Sequence, residues 1–134
     1  MADARRVIIA DDEESVRQVL TGFFEKTYAD RGYVVEAVAD GAGAIDAVRR
    51  STPALVLLDI EMPGVDGVTA LRAIRELQPR VPVIMVTGTE SRTTAAEVMA
   101  LGAFSYMPKP VRLAYLEHIV GALFDTAQKR SRTR

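Results

Sequence analysis

Five side chains able to act on a hard cation or an anion close short apolar runs in this chain. Asp11 and Asp12 follow Val7-Ile8-Ile9-Ala10, and Asp59 follows Ala54-Leu55-Val56-Leu57-Leu58. Thr87 follows Val83-Ile84-Met85-Val86, and Lys109 follows Ser105-Tyr106-Met107-Pro108. Three carboxylates brought together repel, and the usual remedies are a raised pKa or a bound cation. Oxygen ligands with no histidine or cysteine beside them favour Mg²⁺ over transition metals. Mg²⁺ keeps positions open for water and phosphate oxygens. One carboxylate could then attack a phosphoryl group and form an aspartyl phosphate. Lys109 and the Thr87 hydroxyl suit the resulting oxygens, and such chemistry is mostly positioning and charge neutralisation.

Elements that would bring these residues together are legible in the hydrophobic pattern. The run at 54–58 has no polar break, as in a strand buried on both faces of a parallel sheet. Val7–Ala10 reads the same way, and strands are also expected over Tyr33–Val38, Val81–Val86 and Ala103–Met107. Pro82 is tolerable at the start of its strand. Between the strands lie helical stripes. Ser15–Tyr28 carries Val16, Val19, Leu20, Phe23 and Phe24, and the helix after Ala39-Asp40-Gly41-Ala42-Gly43 turns Ala44, Ile45 and Val48 inward. Val68–Leu77 and Arg92–Leu101 follow, the second stopped by Gly102. The last helix has its stripe at Leu113, Leu116, Ile119, Val120, Leu123 and Phe124. Five βα units imply an α/β fold, a doubly wound five-stranded parallel sheet with right-handed crossovers. All carboxyl ends of such a sheet share one rim, where open α/β folds bind ligands at a switch in strand order.

With these pieces in place the chain resembles a receiver domain of the two-component response regulators, over about residues 5–127. The resemblance is carried by Asp11-Asp12, by Leu57-Leu58-Asp59-Ile60-Glu61-Met62-Pro63-Gly64, by Thr87 and by Lys109-Pro110, in this order and these structural places. It implies a flavodoxin-like, CheY-like single domain with strand order 2-1-3-4-5 and a cis Lys109-Pro110 bond. Asp59 becomes the phosphoacceptor, with Mg²⁺ held by Asp12, Asp59 and the Glu61 backbone carbonyl and supported by Asp11 through water. Lys109 pairs with the phosphoryl group or with Asp59. Thr87 moves to bond that group, and Tyr106 is the switch aromatic that turns inward with it. Implied partners are a histidine kinase or histidine phosphotransfer protein as donor, and a downstream protein on the face of helix 4, strand 5 and helix 5. A phosphorylation-dependent homodimer is left open. Glu61 and Thr89 flank the route of attacking water in family members. The segment Phe23–Gly32 is a few residues longer than the family's norm. Residues 1–127 are expected to be the receiver and 128–134 a basic tail or the start of a linker.

Singly, several of these residues have plainer readings. Asp11 and Asp12 suit a helix cap, Lys109 a solvated lysine and Tyr106 a half-buried core aromatic. His118 is expected at a flanking or exposed place and receives no role. Gly41-Ala42-Gly43 fails as a dinucleotide loop, because Asp46 stands where a third glycine would be needed. Two other functions compete with the phosphoaccepting switch, which is not a turnover enzyme. A hydrolase of the haloacid dehalogenase kind expects an aspartate two places after its nucleophile, where Glu61 stands, and a lid domain that 134 residues leave no room for. A phosphorylation-independent binding module is disfavoured by the presence of Asp12, Asp59, Thr87 and Lys109. Bulk properties exclude other classes. The net charge of −1 points to no direct nucleic-acid contact. There is no cysteine, which suits a cytoplasmic setting. No apolar run reaches the roughly 20 residues a membrane helix needs, so no membrane insertion is expected.

Overall fold

The computed structural model describes residues 5–88, 91 and 93–132, with side chains as far as residue 125. Strands β1 (Arg6–Ala10), β2 (Val34–Val38), β3 (Leu55–Asp59), β4 (Val83–Thr87) and β5 (Ser105–Pro108) alternate with five helices. These are α1 (Glu14–Tyr28), α2 (Gly41–Arg50), α3 (Gly67–Leu77), α4 (Ala95–Ala100) and α5 (Leu113–Arg132), and a 3-10 turn at Ala29–Arg31 ends the first. The strands form one parallel sheet in the order β2-β1-β3-β4-β5.

Alternation along the central strands divides the core into two layers. Ile8, Ala10, Val56, Leu58, Val83 and Met85 face α2 and α3, whose Ala44, Val48, Leu71 and Ile74 cover them. Val7, Ile9, Leu55, Leu57, Ile84 and Val86 face α1 and α5, through Leu20, Phe24, Leu116 and Val120. Every residue of β1, β3 and β4 is buried, which explains why those runs carry no polar break. At the amino edge, the buried Arg6 guanidinium donates to the Ala47 and Ser51 carbonyls at the end of α2 and pairs with Glu36 on β2. Tyr33 stacks on Phe124 with ring centroids 4.1 Å apart, joining α5 to the start of β2.

Several element boundaries differ from the sequence expectation. Helix α4 starts only at Ala95, because the Thr94 hydroxyl caps it by accepting from the Glu97 amide; Arg92, its expected first residue, lies outside the described residues. Val81 and Pro82 precede β4, and β5 begins at Ser105 because Phe104 is still half exposed beside it. Val19 and Leu113, placed on inward stripes, are 48% and 43% exposed, while Leu20, Phe23 and Phe24 of α1 and Leu116 and Val120 of α5 are buried. Residues 128–132, expected as tail or linker, continue the backbone of α5.

Candidate functional site

The register of β1 and β3 brings the acids together. Ala10 pairs with Leu58, so the next residues, Asp11 and Asp59, leave adjacent strands side by side. Both are buried, at 1% and 2% exposure, while Asp12 is exposed. Glycine allows the loop after β3 to fold tightly over this end. A β-carbon on Gly67 would collide with the Asp59 carbonyl and lie 2.6 Å from the Ile60 α-carbon, whereas the Gly67 amide donates to the Ile60 carbonyl at 2.8 Å. Asp66 beside it caps α3 through its carboxylate, which accepts from the Thr69 amide.

Lys109 enters from the opposite side of the rim. Its backbone amide donates to the Thr87 carbonyl at 2.7 Å, and the Lys109-Pro110 bond is cis, as expected. The ammonium stands 2.8 Å from Glu13 Oε1, 3.0 Å from Asp11 Oδ2 and 3.4 Å from Asp59 Oδ2. Burial opposes its charge, but the carboxylates of Glu13, Asp11 and Asp59 outweigh burial and hold it above its ordinary value. Asp59 moves the other way from an ordinary carboxylate. Burial and then the neighbouring Asp11 raise its pKa to about 7, against the opposing pull of Lys109 and a 3.3 Å bond from the Glu61 amide. Negative charge is thus in excess at the base of the cleft.

Asp12, Glu13, Asp59, Glu61, Gly88, Ser91 and Lys109 line one cleft of about 350 Å³. Carboxylate oxygens of Asp11, Asp12 and Glu13 lie within 4.8 Å of one another. Asp11 Oδ2 is buried, and apart from its ion pair with Lys109 it accepts no aligned hydrogen bond among the described residues. Hard oxygen donors, an incompletely bonded buried oxygen and a carboxylate whose ionisation the fold resists all fit a divalent cation such as Mg²⁺.

Thr87 and Tyr106 sit outside this cluster. Thr87 is buried at the end of β4, its hydroxyl donating to the Gly88 carbonyl at 3.2 Å. Tyr106 is half-buried on β5, and its hydroxyl donates to the Thr93 carbonyl at 3.5 Å, just ahead of α4. Thr89 lies outside the described residues. His118 is exposed on α5, as expected. Sequence reasoning missed Glu13 as a partner of Lys109. Its only signal was a glutamate in a helix-capping place that shorter polar residues favour.

The fold and the rim define a class, and comparison with known proteins agrees. The profile of the response regulator receiver domain matches residues 7–121. The chain is 37% identical over 120 residues to the regulatory protein AtoC of Escherichia coli K12, covering 90% of this chain and 25% of that protein. Over 104 residues it is 36% identical to the DNA-binding transcriptional regulator NtrC of the same organism, covering 78% of this chain and 21% of NtrC. The chain therefore spans about a quarter of the length of these curated relatives. Among solved structures, the receiver domain of AraT from Geobacillus stearothermophilus superposes with a TM-score of 0.84 at 26% identity, covering 96% of this chain and 99% of that one. This chain belongs to the response regulator receiver domain family. Receiver domains are phosphoaccepting signalling switches of two-component systems, act with histidine kinases and bind Mg²⁺ at an acidic pocket.

Proposed function

We propose that this chain receives a phosphoryl group on Asp59 from a histidine kinase or a histidine phosphotransfer protein. The observation that carries the reading is the convergence of buried Asp59, buried Asp11 and Lys109 at one rim. Asp12, Asp59 and the Glu61 carbonyl would hold Mg²⁺, with Asp11 supporting it through water. When bound, the ion offsets the charge of the cleft and of the phosphoryl oxygens. An Asp59 carboxylate oxygen forms the new bond to phosphorus as the bond from phosphorus to the donor nitrogen breaks, and the nitrogen keeps that electron pair. Lys109 then faces the phosphoryl oxygens. A buried, desolvated carboxylate beside a lysine is suited to this attack because little solvent has to be reorganised.

The output half of the reading rests on Thr87 and Tyr106. Thr87 ends β4 immediately before the loop to α4, and Tyr106 is bonded to that loop at Thr93. Movement of the Thr87 hydroxyl toward a phosphoryl oxygen would release Tyr106 to repack inward and alter the face of α4, β5 and α5, where a downstream protein or a second copy docks. The phosphoryl group biases this equilibrium only through its different contacts in the two states. Residues 1–127 form the receiver on this reading.

Beryllofluoride with Mg²⁺, which mimics the phosphoryl group, tests both halves. Amide shifts around Asp59 and on α4, β5 and α5 are the expected result. Shifts confined to the rim would contradict the coupling through Thr87 and Tyr106, and an unchanged spectrum would contradict the acceptor site.

A further inference from the structure

Glu13 breaks a local rule at the mouth of the cleft. It occupies the cap position of α1, with φ −89° and ψ 116°, yet its side chain makes no cap hydrogen bond. Helices α2, α3 and α4 are all capped conventionally, by Asp40, Asp66 and Thr94. Cap positions favour Ser, Thr, Asp and Asn, whose short side chains reach back to their own helix. The longer glutamate reaches past the helix to a lysine 96 residues away in sequence. That contact, at 2.8 Å, is the shortest of the three carboxylate contacts around Lys109. The turn presenting Glu13 is held firmly. Its amide donates to Asp11 Oδ1 at 2.9 Å, and the Arg17 guanidinium donates to the Asp11 carbonyl at 2.8 Å.

We propose that Glu13 is a positioning residue that straps Lys109 across the cleft and competes with the phosphoryl oxygens for its ammonium. The inference rests on the reading of Asp59 as acceptor and adds a control on how readily that site takes a tetrahedral anion. A lysine ammonium has three donors, and among the described residues three carboxylates share them. An incoming phosphoryl group must displace one. Glu13, with 57% of its side chain exposed, can swing into water, whereas Asp11 and Asp59, each 2% exposed, cannot. The displaced carboxylate then repels the phosphoryl group, so both effects weaken capture. An exposed ion pair of this kind limits the gain on removing it to about two- to fivefold.

The test compares the parent chain with Glu13→Gln and Glu14→Gln. Glu14 is an exposed neighbour whose carboxylate, among the described residues, accepts only from Gln18, so its variant changes the net charge equally without touching Lys109. Two quantities are measured: beryllofluoride affinity at saturating Mg²⁺, and Mg²⁺ affinity alone by calorimetry. Glu13→Gln should bind beryllofluoride about two- to fivefold more tightly, with Mg²⁺ affinity unchanged and Glu14→Gln like the parent. The strap is overturned by unchanged beryllofluoride affinity, by an equal gain in Glu14→Gln, or by a loss of Mg²⁺ affinity, which would make Glu13 a metal ligand. A parent chain that takes up no beryllofluoride would overturn the acceptor reading itself. A responsive parent with an indifferent Glu13→Gln would remove the strap alone.

Discussion

Replacing Asp59 with asparagine keeps the shape of the carboxyl group and removes a charge that burial and Asp11 both oppose. Burial, then the carboxylate of Asp11, lift its pKa from an ordinary 3.8 to about 7. Each tenfold change in acidity is about 1.36 kcal/mol, so keeping Asp59 ionised in the folded chain costs roughly 4 kcal/mol. The sign follows from proton linkage. Between pH 3.8 and about 7 the folded chain holds a proton that the unfolded chain has lost. Stability therefore declines as pH rises through that window, and the full cost is present above it. Asparagine never ionises. Asp59→Asn should match the parent near about pH 4 and exceed it by up to ~4 kcal/mol near about pH 8.5. The assay is urea unfolding followed by circular dichroism at a series of pH values without divalent cations. A stability difference that is the same at both ends of the series, or a variant less stable than the parent at high pH, would refute the reasoning.

Other perturbations test how the site is supported. Gly67→Ala should cost ~2 kcal/mol or more, because the added methyl meets the Asp59 and Ile60 backbone. It should also slow phosphorylation by displacing Asp59; an unchanged unfolding midpoint and an unchanged rate would contradict the close approach. Arg6→Leu should destabilise by ~2–4 kcal/mol, since the Ala47 and Ser51 carbonyls and the Glu36 carboxylate lose their buried donor. Although burial raises the Glu36 pKa, Arg50 and Arg6 outweigh it and hold the carboxyl below its ordinary 4.5. The stability this supplies is present above about pH 4.5 and lost as pH falls through the lowered value, so acid sensitivity should shrink in Arg6→Leu. Phe124→Ala, which removes a ring stacked on Tyr33, should cost ~3–4 kcal/mol and speed amide exchange along α5; slow exchange there would show that α5 is held elsewhere.

Much of this architecture is legible in the chain because its strongest signals are local. Leu55–Leu58 has to be buried on both faces, and the position of Asp59 at the end of that run follows directly. The same holds for Asp11 after β1 and Lys109 after β5. Contacts set by side-chain reach are harder to read. Glu13 looks like one more member of an acidic run until the sheet brings Lys109 within 2.8 Å. Arg6 reads as a charged residue at a strand's start, and its role depends on the end of α2 arriving beside it. Gly67 passes for loop punctuation, although the path of the loop over β3 leaves no space for a β-carbon. Val19 and Leu113 fit a helical stripe but remain half exposed. In each case periodicity identifies the element, and the packing of distant segments decides which residue matters.

The central claim is that Asp59 is the group phosphorylated. Incubation with acetyl phosphate and Mg²⁺, followed by intact-mass measurement, tests it most directly. The parent chain should gain one phosphoryl group that is labile in both strong acid and base and is removed by hydroxylamine, and both Asp59→Asn and the parent without Mg²⁺ should gain none. Equal labelling of Asp59→Asn would contradict it.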